Sequence, residues 1–471
     1  MRPPRTDRGR LLLLLALAVV VTVFTATVPL LRDWFDLRVY YGTVNSWTHD
    51  GGRVYDYRVP GTQYGFTYPP FAAVVMLPMA LVGLRTAIVT ALLLNLAALA
   101  AVVRVVVGPR WRRYGWYGVG LAACALALFE PLRDTFSFGQ VNVLLLALVL
   151  TDAWLLATGR TRWAGIGIGL AAAIKLTPAL FIGLLLVTRR RRAAAVATVV
   201  AGAATGLAAV VAPDASRFYW TQAMWDTTRV GRLDYVSNQS LQGVLARLGV
   251  ESRAVWAVLV LVVLGWWAWR ARRAVAAGEW LTAFALTGLT ACLVSPVTWV
   301  HHLVWLLPAF GVLIRAGRPR VAGALYALLC TSVVWLWFDD SSGVDGFLGS
   351  NIYTWITLGL LVWLPVGQLP GGRRTTSRSS SATAAPPSAA APTTSAASDQ
   401  PGASPTATAA ALAGAGAEPA PGSAPVSAAA PVSGPGWGRG RGRARSASSE
   451  PTGSTRPAAA NPQSSSSRAS S

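Results

Sequence analysis

The sequence predicts an all-α, multi-pass membrane protein followed by a disordered tail, and three observations carry that prediction. Of its 471 residues 53% are hydrophobic and only 13% charged, roughly half the charged share of a soluble domain. Long apolar runs alternate with short arginine clusters, and mean hydropathy is +0.46. From Gly371 onward the composition turns to Ala, Ser, Pro, Thr and Gly. Together they exclude a soluble single domain for residues 1–370.

The first run, Leu11 to Leu31, follows Arg2, Arg5, Arg8 and Arg10. It reaches about 20 residues, enough to span, and no small-x-small cleavage site follows, so it reads as an uncleaved anchor entering from the cytoplasm. Further apolar runs lie at 71–84, 86–107, 115–129, 141–157, 163–188, 193–212, 254–269, 280–294, 303–314, 321–338 and 352–366. This gives about 10–12 transmembrane segments, several too short to cross a ~30 Å core unaided.

The net charge of +22 divides unevenly: residues 371–471 hold nine Arg against three acids, leaving +16 in the apolar body. Most of that excess sits in short clusters between runs, a topology signal rather than a nucleic-acid footprint. Alternation from a cytoplasmic N-terminus places Arg189 to Arg192, Arg270 to Arg273 and Arg315 to Arg320 inside. It also leaves Arg110, Arg112, Arg113, Arg160 and Arg162 outside, against the rule, so either one run within 71–188 fails to cross or those loops are exceptions. The loops 32–70, 213–253, 295–302 and 339–351 come out external. Cys124, Cys292 and Cys330 lie inside apolar runs with no CxxC pair, which argues against a disulfide framework or a zinc site. The tail cannot bury enough apolar surface to offset its ordering entropy and reads as a disordered cytoplasmic segment.

Three features can carry chemistry. The loop after the anchor places Asp33 and Asp36 among aromatics at the membrane surface, where a general base for a lipid headgroup would stand; an exposed acid explains them equally. Lys175, the only lysine, sits in Gly165-Ile-Gly-Ile-Gly-Leu-Ala-Ala-Ala-Ile-Lys-Leu-Thr-Pro178. A charge at mid-membrane costs about 2.5–3.5 kcal/mol and calls for a partner, for which a lipid phosphate serves; snorkelling to the interface is the alternative. Ser295-Pro-Val-Thr-Trp-Val-His-His302 carries two of the three histidines, which point to different helix faces and so do not share a metal. Amides in Phe138-Gly-Gln-Val-Asn142 and Ser237-Asn-Gln-Ser240 can bind sugar hydroxyls or pair helices.

In order, these pieces resemble glycosyltransferase family 87. The matching stretches are Asp36-Leu-Arg-Val-Tyr40, Gly52-Arg-Val-Tyr-Asp56, Tyr68-Pro-Pro70, Gly139-Gln-Val-Asn142, Lys175-Leu-Thr-Pro178, Asn238-Gln-Ser-Leu241 and Ser295 to His302. The resemblance implies a membrane glycosyltransferase C fold over 1–370, with 371–471 outside it, and an active site on the outer face. It implies a mannosyltransferase of the actinobacterial cell envelope using polyprenyl-phosphate-mannose. The acceptor it implies is a phosphatidylinositol mannoside or lipomannan, joined α-1,2 with inversion. On that reading Asp36 is the catalytic base, and Lys175 with His301 or His302 holds the donor phosphate. Arg38, Tyr40, Tyr68, Gln140, Asn142, Asn238 and Gln239 are then substrate-binding residues, with membrane lipids but no nucleic acid as further partners. No compact DxD motif is present, which argues against an obligatory metal, and no other cofactor is implied. The rival is a transporter or flippase of a polyprenyl-linked sugar, which should show repeated halves; none is visible.

Overall fold

The structure, a computed structural model, describes residues 6–27, 33–108 and 115–368. The tail from Gly371 and the cluster Arg110, Arg112 and Arg113 lie outside the described residues. No strand occurs among those described, only an isolated bridge between Arg58 and Gly65.

The chain builds α1 (Asp7–Thr27), α2 (Phe35–His49), α3 (Pro70–Met76), α4 (Leu84–Val107), α5 (Gly115–Leu128) and α6 (Glu130–Phe138). It continues through α7 (Asn142–Ala157), α8 (Ile166–Ile174), α9 (Leu180–Val187), α10 (Arg191–Val211), α11 (Pro213–Thr221) and α12 (Leu241–Arg247). The last third supplies α13 (Arg253–Ala276), α14 (Trp280–Val294), α15 (Leu306–Arg315), α16 (Pro319–Cys330), α17 (Gly343–Ser350) and α18 (Ile352–Trp363). Helices α1, α4, α10 and α13 are each long and apolar enough to cross a membrane, and α5 with α6, bent by 74°, makes a fifth candidate. The remaining apolar helices are shorter and rely on protein neighbours. The central one, α14, is hydrophobic all round, and every residue from Trp280 to Leu293 is buried.

One end of the bundle gathers the arginine clusters that separate the later apolar runs. Arg315 donates to the Val105 carbonyl (3.2 Å), joining the C-terminal ends of α15 and α4. Arg190 lies over the Trp280 ring at 5.0 Å. From α13, Arg270 donates to the carbonyls of Leu361, Val362 and Leu364, satisfying groups that the end of α18 would otherwise leave orphaned. Arg160 and Arg162 belong to the same end. Their turn leads into Gly165, where an added Cβ would stand 2.2 Å from the Ala193 carbonyl oxygen at the start of α10.

Of the two alternatives the sequence left open for Arg160 and Arg162, that placement beside the start of α10 favours a run that fails to cross. The run 71–84 forms only the short α3 and a 3₁₀ turn, Leu77–Leu81, and its end is held to α2, where Tyr41 donates to the Val82 carbonyl (3.1 Å). The run 163–188, read as one segment, instead folds back at Lys175 into α8 and α9.

The fold-back is built from small residues. Cβ atoms on Gly167 and Gly169 would stand 2.2 Å from the Leu148 carbonyl oxygen and 2.6 Å from that of Ala197, so α8 packs backbone to backbone between α7 and α10. Asp152 of α7, 1% exposed, accepts from the Ile168 amide (2.7 Å) and caps the opening turn of α8. Asp152→Ala leaves that buried amide unpaired, and a loss of about 1–3 kcal/mol is expected, read as a lowered thermal midpoint in detergent. An unchanged midpoint would remove Asp152 as the anchor of α8.

Candidate active site

The other end of the bundle brings the chemistry-bearing side chains together. Before α2, Asp33 and Trp34 both adopt left-handed backbone (φ 44° and 56°), a costly conformation for residues other than glycine. The Trp34 amide donates to the Ser137 carbonyl (3.0 Å), so the start of α2 is docked on the end of α6. Leu37, Tyr40 and Val44 form the buried stripe of α2, and Asp36 stands in its first turn. Gly139 terminates α6 at φ +70°, where a Cβ would meet that of Leu37 at 2.6 Å. Only glycine allows this approach, and it delivers the next residue, Gln140, to Asp36.

Gln140 Nε2 donates to Asp36 Oδ2 at 2.7 Å. Tyr68 OH donates to Gln140 Oε1 (2.8 Å) and accepts from Tyr40 OH (3.0 Å). Lys175 Nζ lies 3.4 Å from Tyr68 OH, 3.0 Å from Asn142 Oδ1 and 2.8 Å from His302 Nε2. Its ammonium also stands 5.0 Å from the Tyr68 ring centroid, within cation–π range. Helix α8 stops at Ile174 because Lys175 is extended (φ −144°, ψ 133°), which turns the side chain out of the apolar leg into this cluster. A cavity of about 20 Å³ lies beside it, lined in part by Asn142, Cys292, Thr298 and His302, with room for a single water.

His302 is held by its own turn: the Trp299 amide donates to Nδ1 at 3.1 Å. That bond assigns the proton of a neutral ring to Nε2, the nitrogen facing Lys175. The turn is pinned in its place by Asn238, whose Oδ1 accepts from the Thr298 amide (2.9 Å), while the Gln239 amide donates to the Thr298 carbonyl (2.7 Å).

Seven of the sequence-chosen residues, Asp36, Tyr40, Tyr68, Gln140, Asn142, Lys175 and His302, thus form one network. The other four lie outside that network, although the His301 ring touches that of His302 (4.7 Å between centroids). The ring of His301 packs on Phe138 (5.0 Å between centroids), and its carbonyl accepts from Thr135 and Asn142. Arg38 is engaged with Asp33, an exposed pair (Nη2 to Oδ2 3.0 Å). Asn238 and Gln239 are fully buried, and each side chain has both its polar atoms bonded within the protein. Asn238 holds the His302 turn through its side chain and Gln239 through its backbone amide. Sequence reasoning did not single out Tyr55, whose hydroxyl donates to the Tyr68 carbonyl (2.8 Å). A contact from hydroxyl to backbone leaves no trace in residue types. Among the described residues no group of three His, Cys, Asp or Glu could hold a metal ion.

Burial pushes the Asp36 carboxyl up to about 6, against the opposing pull of the Gln140 bond and the Lys175 charge. On the expectation that Asp36 is the base, which works only when ionised, kcat/KM should rise with pH through about 6 and level off above it. Removing the Gln140 donor weakens the ionised form, and Gln140→Met is expected to move the acid limb to higher pH. A limb that stays in place would disconnect Gln140 from the titrating group.

Comparisons with known proteins agree in direction. A family model described as glycosyltransferase family 87 matches residues 66–296. The chain is 34% identical over 361 residues to a polyprenol-phosphate-mannose-dependent α-(1-2)-phosphatidylinositol mannoside mannosyltransferase of Mycobacterium tuberculosis, covering 73% of this chain and 76% of that protein. A protein of the same description in Mycolicibacterium smegmatis is 32% identical, with 79% and 84% covered. A phosphatidylinositol pentamannoside mannosyltransferase of M. tuberculosis is 33% identical, with 71% and 80% covered. No solved structure matches the chain.

Proposed function

From the premise that the chain belongs to glycosyltransferase family 87 and is a membrane glycosyltransferase, we propose that it transfers mannose from polyprenyl-phosphate-mannose to a phosphatidylinositol mannoside, forming an α-1,2 bond with inversion. Membership in that family sets aside the transporter reading. The observation that carries the proposal is the single hydrogen-bonded network joining a carboxylate at one end, Asp36, to the cation at the other, Lys175.

Asp36 accepts the proton of the acceptor hydroxyl as its oxygen attacks the anomeric carbon. The new C–O bond forms on the face opposite the phosphate, and the old one breaks with its electron pair leaving on polyprenyl phosphate. Lys175 and the Nε2–H of His302 meet that growing charge. Gln140 and Tyr68 keep base and cation in register, so that both act on one sugar ring.

We assign this end of the bundle to the outer face of the membrane. The arginine-rich opposite end supports it, since cytoplasmic loops carry the excess of Arg and Lys. We take residues 1–370 as the catalytic domain and place the tail, 371–471, outside it. The test is the full chain in proteoliposomes with labelled polyprenyl-phosphate-mannose and a phosphatidylinositol mannoside. A product extended by one α-1,2-mannose is expected; no transfer to that acceptor would overturn the proposal.

A further inference from the structure

Two guanidinium groups distant in sequence converge beside the site without a carboxylate. Arg58 Nη1 donates to the Tyr55 carbonyl (2.9 Å) and that of Tyr57 (3.1 Å); Arg229 Nη2 donates to the same Tyr55 carbonyl (3.2 Å). Like charges sharing one neutral acceptor repel, and neither has a carboxylate within ion-pairing distance among the described residues. Asp56 and Asp226 pull on Arg229 only at longer range, and Asp226 is already bonded to Thr228. Arg229 is further constrained by the Phe218 ring, 5.2 Å from its guanidinium, and its Nε is buried with no partner. A protein that holds two half-buried cations together and leaves a donor unused has arranged them for an anion.

The location narrows the anion. Tyr55 links the pair to the active site, for its hydroxyl bonds the Tyr68 carbonyl and its ring stacks on Tyr219 (6.0 Å). Arg229 follows α10, one of the four long apolar helices, by way of α11 and a loop carrying Trp225, which is 72% exposed. Exposed tryptophan just beyond a span marks headgroup level. Both substrates proposed above are lipids carrying one phosphate each. Lys175 and His302 meet the donor's phosphate, which leaves a second cationic site one tyrosine away.

We propose that Arg58 and Arg229 bind the phosphodiester of the glycolipid acceptor and so set which of its sugars reaches Asp36. This rests on the acceptor being a phosphatidylinositol-based lipid. The experiment compares two acceptors, a phosphatidylinositol mannoside and a phosphate-free alkyl mannoside, with the full chain in nanodiscs. Arg58→Gln and Arg229→Gln should each raise KM for the phospholipid acceptor roughly tenfold. KM for the alkyl mannoside and for the donor should stay at the wild-type value, and Arg58→Lys or Arg229→Lys should recover most of the lost affinity. Equal rises for both acceptors would reduce the pair to loop architecture, and a rise confined to the donor would assign the site to donor phosphate; either overturns the inference. A wild type that uses only the alkyl mannoside would instead overturn the acceptor assignment, and this site with it.

Discussion

Asp36→Asn is expected to lower kcat for mannosyl transfer roughly 10²–10⁴-fold while leaving donor KM near its wild-type value. The amide is nearly isosteric and its oxygen still accepts from Gln140 Nε2, so the 2.7 Å contact that docks α2 on the α6–α7 corner survives. What disappears is the ability to take a proton at the attacking oxygen. The same substitution should make the protein no less stable. With its carboxyl at about 6 instead of 3.8, ionised Asp36 costs the fold up to about 3 kcal/mol at neutral pH. The sign follows from the protons bound: above pH 6 both states are ionised and the penalty is complete. It shrinks as the pH falls from 6 toward 3.8 and vanishes below, where both states are protonated. The thermal midpoint of Asp36→Asn should therefore match or exceed that of wild type at pH 7.5, with the difference closing under acid conditions. Near-normal incorporation of labelled mannose by the variant would take the role of base away from residue 36.

How much of this was legible in the sequence depends on what each residue needed. Lys175 stood out because a charge in an apolar run must find a partner, whereas the residue types alone left Asp36 and His302 open and only the resemblance gave them roles. Gly139 and Gln140 were readable as a motif, yet the reason for the glycine, a Cβ collision with Leu37, required the approach of two helices separated by 100 residues. Asn238 and Gln239 show the opposite limit. Their residue types suited sugar binding, but in the fold both amides are spent inside the protein, that of Asn238 on the His302 turn and that of Gln239 on Val236, Ser350 and Thr354, and residue type cannot tell a displayed amide from a spent one. The question left open over Arg160 and Arg162 has a similar origin. Hydropathy registers that 71–84 and 163–188 are apolar, whereas the course of each is set by local backbone geometry: the bond from Tyr41 to Val82 in one case, the extended residue 175 in the other. The convergence of Arg58 and Arg229 was invisible for the plainest reason, that 170 residues separate them and each by itself reads as a surface arginine.

Lys175→Met should also cost transfer heavily, about 10²–10³-fold in kcat, the range for loss of one preorganised donor facing developing charge. Methionine fills a similar volume on the apolar leg, so the α8–α9 fold-back should persist. The argument for the role comes from hydrogen-bond directions. Tyr68 spends its proton on Gln140, so its oxygen faces Lys175 as an acceptor, and Asn142 Oδ1 is another. His302 is different: with Nδ1 accepting from the Trp299 amide, its Nε2–H points at Nζ across 2.8 Å. Two groups that both carry protons meet there, and an oxygen lodged beside the pair would accept from each. A phosphate oxygen fits that demand, and the demand grows during the reaction, because the donor is a phosphodiester with one negative charge and the leaving polyprenyl phosphate gains a second. Lys175→Met should therefore weaken inhibition by polyprenyl phosphate more than it raises KM for the donor. The loss in rate should shrink with a donor whose leaving group needs no cation, such as a dinitrophenyl β-mannoside. Equal losses with both donors would place Lys175 in the architecture of the fold-back and leave the departing phosphate to other residues.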